Sequence, residues 1–358
     1  MAKRTPKTAD DAEETDRVDG FAHPRETFHL TGQGEALARA ARAIRGRRPP
    51  QGWLISGPPG VGKATLAYRI ARYMLKYGAN AEGPADLDVP ANDPVAVQVA
   101  ARSHPGLLVL KRSVHPQTGR MMTVLSVDEV RRLTGFFGLT SGAGGWRVAI
   151  IDTADEMNDA AANALLKALE EPPPRAMLLL IANAPGRLLP TIRSRCQRLL
   201  LRPLAPGDLD AELARHLPEL APNERATLER LAGGSPGLAL QIASGEGLAL
   251  AKEADRLIDS AAHPDVAALM ALADRIGRMK DGLETHGEFL ELTLIERIRA
   301  QAREDAPGLK PWLDASETLR RRFAQASGLH LEPRQTILST ARTLSEAAHT
   351  GPLPQIDA

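Results

Sequence analysis

The stretch SGPPGVGKATLA (residues 56–67) nearly matches the loop that holds phosphate groups in nucleotide-binding proteins. The full pattern has two glycines separated by four residues, then a lysine and a Ser or Thr. Gly57, Gly62 and Lys63 occupy the expected positions. In such a loop the backbone N–H groups and the start of the next helix surround the β-phosphate, and the lysine reaches the β- and γ-phosphates.

The residue after the lysine departs from this pattern. Ala64 stands where a hydroxyl would bind Mg²⁺. Thr65 lies one residue further, about 100° around the following helix, so its hydroxyl faces another way. Gly60, Lys63 and Thr65 remain candidate residues of a residual nucleotide site. We expect this site to bind ATP or ADP weakly at most and not to hydrolyse it.

A second candidate element is VAIIDTAD (148–155), a buried strand that ends in Asp152. This carboxylate could face Mg²⁺ or its bound water. In active enzymes of this architecture the next residue is the Glu that polarises the attacking water, but here it is Thr153. Asp155 follows beyond the strand, where we expect it to be solvated or to cap a turn. Two vacant roles together predict a site that does not hydrolyse ATP.

The surrounding pattern predicts the elements that position these residues. The strand GWLIS (52–56) enters the glycine loop, and an amphipathic helix follows the loop. Further strands at 106–111, 146–152 and 176–183 alternate with helices, which predicts a parallel sheet covered on both faces. From Pro206 onward only helical patterning remains, with helices predicted at 206–217, 222–232, 236–243, 247–261, 264–279, 282–304, 311–327 and 333–348.

Composition limits the class of protein. The positive charge of the 45 Lys and Arg nearly balances the negative charge of the 44 Asp and Glu. The chain therefore has no overall basic charge that would indicate nucleic-acid binding, and any contact with DNA must be local. Cys196 is the single cysteine, which excludes internal disulfides and a four-thiolate zinc site. No apolar run is long enough to span a bilayer, so we expect a cytoplasmic protein without membrane contact.

Several segments together resemble the delta-prime family of bacterial DNA polymerase III clamp-loader subunits, which are AAA+ proteins. The resemblance covers about residues 21–245, and a weaker similarity extends to LEPRQTILSTARTL (331–344). It is carried by HPRETFHLTGQGEAL, GPPGVGKATLAYR, SHPGLLVLKR, GWRVAIIDTADEMNDAAANALLKALEEPPP, LLPTIRSRCQRL and GGSPGLALQIA. The block NALLKALEEPP followed by RSRC is specific to clamp-loader subunits among AAA+ proteins.

The first residues are charged and have almost no large apolar side chains, which predicts a disordered tail (1–20). The resemblance implies an α/β AAA+ P-loop domain (21–204) and a small helical lid (205–249). The helical pattern that follows predicts a C-terminal all-α collar for oligomerisation (250–358). The family often carries a zinc module of four cysteines before the strand near residue 107. This chain has none there, so its insertion 78–105, which we expect to be irregular, must do without metal.

The resemblance also assigns three site residues. Asn183 matches the polar residue called sensor 1, which would contact the γ-phosphate or water. Gly237 stands where motor subunits carry a sensor-2 arginine, so a third ATP contact is missing. Arg195, in Ser194-Arg195-Cys196, matches the arginine finger that reaches the ATP site of a neighbouring subunit.

The function implied is that of a non-hydrolysing clamp-loader subunit that acts in DNA replication within a DNA-directed DNA polymerase holoenzyme. Its partners would be motor subunits of the gamma/tau type and the delta subunit, with the sliding clamp and primer-template DNA contacted through the complex. The alternative is an active AAA+ ATPase, either a motor subunit or a helicase-type enzyme. Ala64, Thr153 and Gly237 all disfavour it. A metabolic P-loop kinase is disfavoured by the long all-α half.

Overall fold

The computed structural model describes residues 18, 20–46, 48–79, 83–112, 122, 124–138, 145–244, 246–279, 282–303, 308–329 and 332–351. These residues form two compact units. The first contains the described residues up to Pro218 together with Gly233–Leu240, and the second contains Glu219–Ala232 with the described residues from Gln241 on. The tail predicted at 1–20 lies outside the described residues except for Val18 and Gly20.

The first unit is built on a five-stranded sheet in the order β2-β3-β4-β1-β5. Every neighbouring pair of strands is parallel, which confirms the predicted α/β class. The strands are β1 Gly52–Ser56, β2 Leu107–Leu110, β3 Arg147–Ile151, β4 Ala176–Ala182 and β5 Gln197–Leu200.

Helices cover both faces of this sheet because successive strand residues point to opposite sides. Trp53 and Ile55 of β1 enter one buried cluster, and Leu54 enters the other. The helices of this unit are α1 Gly34–Ile44, α2 Lys63–Tyr77, α3 Pro94–Ala100, α4 Val127–Gly138, α5 Asp159–Glu170, α6 Pro190–Arg195 and α7 Pro206–His216.

The insertion 78–105 is not wholly irregular, so that expectation is wrong for its second half. Pro94–Ala100 forms a helix whose N-cap is Asp93, since its carboxylate accepts a 2.9 Å hydrogen bond from the amide of Val95. Ala96 and Val99 are buried against the core of the first unit. A proline at the first helical position and an N-cap acid outweigh the turn-rich composition.

The regular elements among the described residues of the second unit are all helices. These helices are α8 Pro222–Ala232, α10 Gly247–Asp259, α11 Val266–Arg278, α12 Gly282–Arg303, α13 Leu309–Leu329 and α14 Pro333–Ala348, and α9 Pro236–Ala243 runs from the first unit into the second. The predicted segment 205–249 therefore contributes helices to both units. In the described parts of the chain, no helix has the length and apolar character that crossing a bilayer requires.

Buried charge joins three helices of the second unit. Arg297 of α12 is only 3% exposed and pairs with Asp255 at 3.2 Å and with Asp259 at 2.5 Å. Arg230 of α8 pairs with the same Asp255 at 2.8 Å and with Glu296 at 3.1 Å. Removing one member would leave its partners partly buried and uncompensated, so this network holds the helices in register.

Candidate nucleotide-type loop and arginine site

The carboxyl ends of the parallel strands bring three of the candidate residues to one edge of the sheet. Gly57 follows β1, Asp152 follows β3 and Asn183 follows β4. In parallel α/β sheets this is the edge where ligands bind. The structure therefore places these predicted residues together, although strand β4 separates β1 from β3.

The glycine loop has the backbone shape that its sequence suggests. Gly60 and Gly62 have φ of 75° and 97°, values that favour glycine over residues with a Cβ. Gly62 is the N-cap of α2, and Lys63 is the first residue of that helix. Ala64 and Thr65 follow in the first turn, where both are half-buried.

The ammonium group of Lys63 is turned onto the loop itself. Its Nζ donates hydrogen bonds to the carbonyl oxygens of Gly57 at 2.8 Å and Pro58 at 2.6 Å. Burial lowers the pKa of Lys63 to about 8, while the nearby carboxylates of Asp152 and Asp155 act in the opposite direction. The group that would bind phosphate is thus engaged with carbonyl oxygens.

The start of α9 lies directly against this loop. The hydroxyl of Ser235 donates to the carbonyl of Pro59 at 2.7 Å and accepts from the amide of Leu238 at 3.3 Å, as an N-cap does. A Cβ on Gly237 would lie 2.8 Å from the Cα of Gly60, so only glycine fits there. Sequence reasoning missed this contact. The run of small residues in GGSPG was the feature of the sequence that could have indicated a close contact between backbones here.

The acidic residues at this edge accept hydrogen bonds from backbone amides. Asp152 accepts a 3.0 Å hydrogen bond from the amide of Thr153. Asp155 was expected to be solvated or capping, but it accepts hydrogen bonds from the amides of Asn183 at 3.1 Å and Ala184 at 2.7 Å, so it links the loops after β3 and β4. Neither observation supplies a base for water activation.

These groups do not fit Mg²⁺–ATP hydrolysis. Residue 64 has no hydroxyl, residue 153 has no carboxylate, and the lysine faces loop carbonyls. The exposed side chain of Asn183 lies at the edge where the sensor-1 role would place it. The groups that remain available to bind the phosphates of a nucleotide are the backbone amides of the loop and the positively polarised N-terminus of α2.

Arg195 lies at the opposite edge of the sheet. It ends α6, and a Cβ on Gly52 at the start of β1 would lie 3.3 Å from its carbonyl oxygen. The loop instead follows Ser56 at the other end of this five-residue strand. At a rise of about 3.3 Å per residue the two ends are roughly 13 Å apart.

The side chain of Arg195 is about one-third exposed and is paired within its own chain. Its Nη2 lies 2.7 Å from Oε1 of Glu170, and the two side chains are 37% and 48% exposed. Its Nη1 donates to the carbonyl of Thr191 at 3.0 Å. Sequence reasoning did not single out Glu170, because no local pattern indicates that it reaches α6.

Comparison with known proteins agrees with this architecture. Residues 32–205 match the family model described as DNA polymerase III, delta subunit. The DNA polymerase III subunit delta' of Pseudomonas aeruginosa is 39% identical over 197 residues, which cover 55% of this chain and 56% of that protein. The corresponding Escherichia coli subunit is 34% identical over 214 residues, covering 59% of each chain.

A DNA polymerase III subunit gamma/tau of Mycobacterium bovis is also similar, with 29% identity over 200 residues that cover 54% of this chain and 31% of that protein. The chain therefore spans a little over half the length of the delta' proteins that it matches. The family match and the delta' relatives confirm the resemblance that the motifs indicated. Residues 32–205 of this chain are similar to the delta-prime subunits of DNA polymerase III.

Proposed function

We propose that this chain is a non-hydrolysing subunit of a DNA polymerase III clamp loader that supplies Arg195 in trans to the ATP site of a neighbouring subunit. The names of its relatives, delta' and gamma/tau, support membership of such a complex. The proposal includes a cytoplasmic location and a role in loading the sliding clamp during DNA replication.

One observation carries the trans role. Arg195 lies at the amino edge of the sheet, whereas Lys63 and the loop lie at the carboxyl edge. The intervening length of β1 exceeds the reach of an arginine side chain, so Arg195 does not serve its own loop. A guanidinium is always charged and has a planar fork that matches phosphate oxygens, which suits it to a nucleotide held by another subunit.

The absence of hydrolysis rests on the loop. Ala64 and Thr153 leave the Mg²⁺ and water-activating roles vacant, and a nucleotide would have to displace Lys63 from two carbonyl oxygens. We propose that ATP or ADP binds weakly or not at all. The alternative is an active AAA+ ATPase, which would show turnover in the isolated chain that disappears in Lys63→Ala.

The C-terminal helical segment 250–358 is proposed to serve as the oligomerisation collar. Its partners would be motor subunits of the gamma/tau type and a delta subunit, and the complex would contact primer-template DNA and the clamp. A chain that ends at residue 249 should lose affinity for these partners. Full-affinity assembly of that truncated chain would contradict the collar role.

The decisive experiment compares complexes reconstituted with the wild-type chain and with Arg195→Ala. Arginine fingers contribute on the order of 10³–10⁵ in rate in GTPase systems, but one site among several should show less. We expect normal assembly with slower DNA-dependent ATP hydrolysis and clamp loading. Arg193→Ala and Arg198→Ala are the matched controls and should change little.

The result that rejects this proposal is a reconstituted Arg195→Ala complex that loads clamps at the normal rate. Arg195 would then be surface charge. Arg195→Lys sharpens the test, because lysine keeps the charge and loses the planar fork. A variant with lysine should behave more like the alanine variant than like the wild type.

A further inference from the structure

Two acceptors from its own chain hold the guanidinium of Arg195. Thr191, which accepts from Nη1 at 3.0 Å, lies one turn earlier in α6. Glu170, which pairs with Nη2 at 2.7 Å, is the last residue of α5. The side chain is therefore fixed between the ends of two helices at the amino edge of the sheet.

This pairing distinguishes Arg195 from the arginines beside it. Within the part of the chain that the structure describes, Arg193 and Arg198 form no ion pair with a carboxylate, whereas Arg195 does. Both partners are more than one-third exposed, and ion pairs at such positions contribute little to the stability of a fold. The ion pair is consequently better explained by its effect on the orientation of the Arg195 side chain than by a contribution to the stability of the fold.

The geometry leaves the arginine able to bind a second acceptor. A guanidinium carries five N–H groups in a fixed plane, and Thr191 and Glu170 each use one of them. The others can still donate to phosphate oxygens. A carboxylate and a phosphoryl group can therefore share Arg195, with the carboxylate fixing the plane in which the phosphoryl group is met.

We propose that Glu170 is a positioning residue, which orients Arg195 for a phosphoryl group held by a neighbouring subunit. This inference rests on the proposed trans role of Arg195. A free arginine side chain has many rotamers, and ordering it only when the partner site closes would raise the barrier to reaction. Holding it beforehand removes that cost from the transition state. Glu170 forms an ion pair with Arg195, so its proposed role is exercised through that residue.

The test is a double-mutant cycle in the full reconstituted complex, with ATP, primed DNA and the sliding clamp. Glu170→Gln keeps the shape of the side chain and removes its charge. We expect it to lower kcat for DNA-dependent ATP hydrolysis about two- to fivefold, the range that an exposed ion pair allows, with KM unchanged. In the Arg195→Ala background the same substitution should have no further effect. Glu171→Gln, at the adjacent exposed position, is the matched control.

The outcomes separate the two claims. If Arg195→Ala is as fast as the wild type, the trans role fails and the positioning role with it. If Arg195→Ala is slow but Glu170→Gln is normal, faster, or equally slowing in both backgrounds, the positioning role alone is overturned. Weaker assembly of Glu170→Gln, measured by subunit affinity, would assign the pair to structure and would also overturn it.

Discussion

The amide of Gly237 donates a 2.9 Å hydrogen bond to the carbonyl oxygen of Gly60, so the first turn of α9 rests on the glycine loop. Ser235 adds its hydroxyl to the neighbouring carbonyl of Pro59. In this conformation two of the loop's carbonyl groups are bound by residues far along the chain. The loop keeps its shape through these contacts.

Gly237→Ala should destabilise the first unit. The added Cβ would lie 2.8 Å from the Cα and 2.9 Å from the carbonyl oxygen of Gly60, and backbone atoms yield less readily than a side-chain end. Overpacking of this kind costs about 1–3 kcal/mol, which should lower Tm by several degrees in a thermal melt. Gly135→Ala is the control, because a Cβ there meets nothing within 4 Å; that variant should be neutral or stabilised.

Thr153→Gly should stabilise the chain. Thr153 has φ of 50° and ψ of 49°, a left-handed conformation that is strained for a β-branched residue. Such strain costs about 1–3 kcal/mol, and glycine relieves most of it, so we expect a gain of about 1 kcal/mol in urea unfolding. Thr153→Ala keeps the Cβ and should gain much less. Equal gains for both variants would show that the left-handed backbone is not the cause.

Cys196 should react slowly with thiol reagents in the native chain. Burial raises the pKa of this thiol to about 12, and the residue is only 8% exposed. Because the thiolate is the reactive form, maleimide labelling near neutral pH should be slow in buffer and fast in denaturing urea. Fast labelling of the folded chain would contradict the burial of this side chain.

Acid should weaken the second unit through His286. Burial lowers the pKa of this fully buried imidazole from 6.5 to about 4, with the backbone of Leu250 acting in the opposite direction. The unfolded chain therefore binds the proton first as the pH falls. The free energy of unfolding should decrease by about 3 kcal/mol between pH 6.5 and pH 4 on account of this group.

His286→Leu should remove that part of the pH dependence, because leucine does not titrate. Chemical unfolding of both chains across this pH range gives the difference in slope. His263→Leu, at an exposed position, is the control and should keep the slope of the wild type. Parallel pH profiles for the wild type and His286→Leu would refute the assignment.

Local sequence pattern was sufficient for most elements of the second unit. The predicted helices 222–232, 236–243 and 333–348 agree with Pro222–Ala232, Pro236–Ala243 and Pro333–Ala348. Each begins at a proline, which is suited to the first helical position and removes uncertainty about where the helix starts. The helix at Pro94–Ala100 escaped prediction because Pro and Asp, which usually indicate turns, here form its cap and first turn.

The sequence by itself determined the strand–loop–helix around Lys63 and the two vacancies at Ala64 and Thr153, because those properties depend on residue identity and neighbouring residues alone. Only the tertiary structure decided that Ser235 binds the loop 176 residues earlier in the chain, and that Arg195 lies at the far edge of the sheet in contact with Glu170. The physical reason is that such contacts follow from strand order and helix packing, which join residues whose separation along the chain leaves no local pattern.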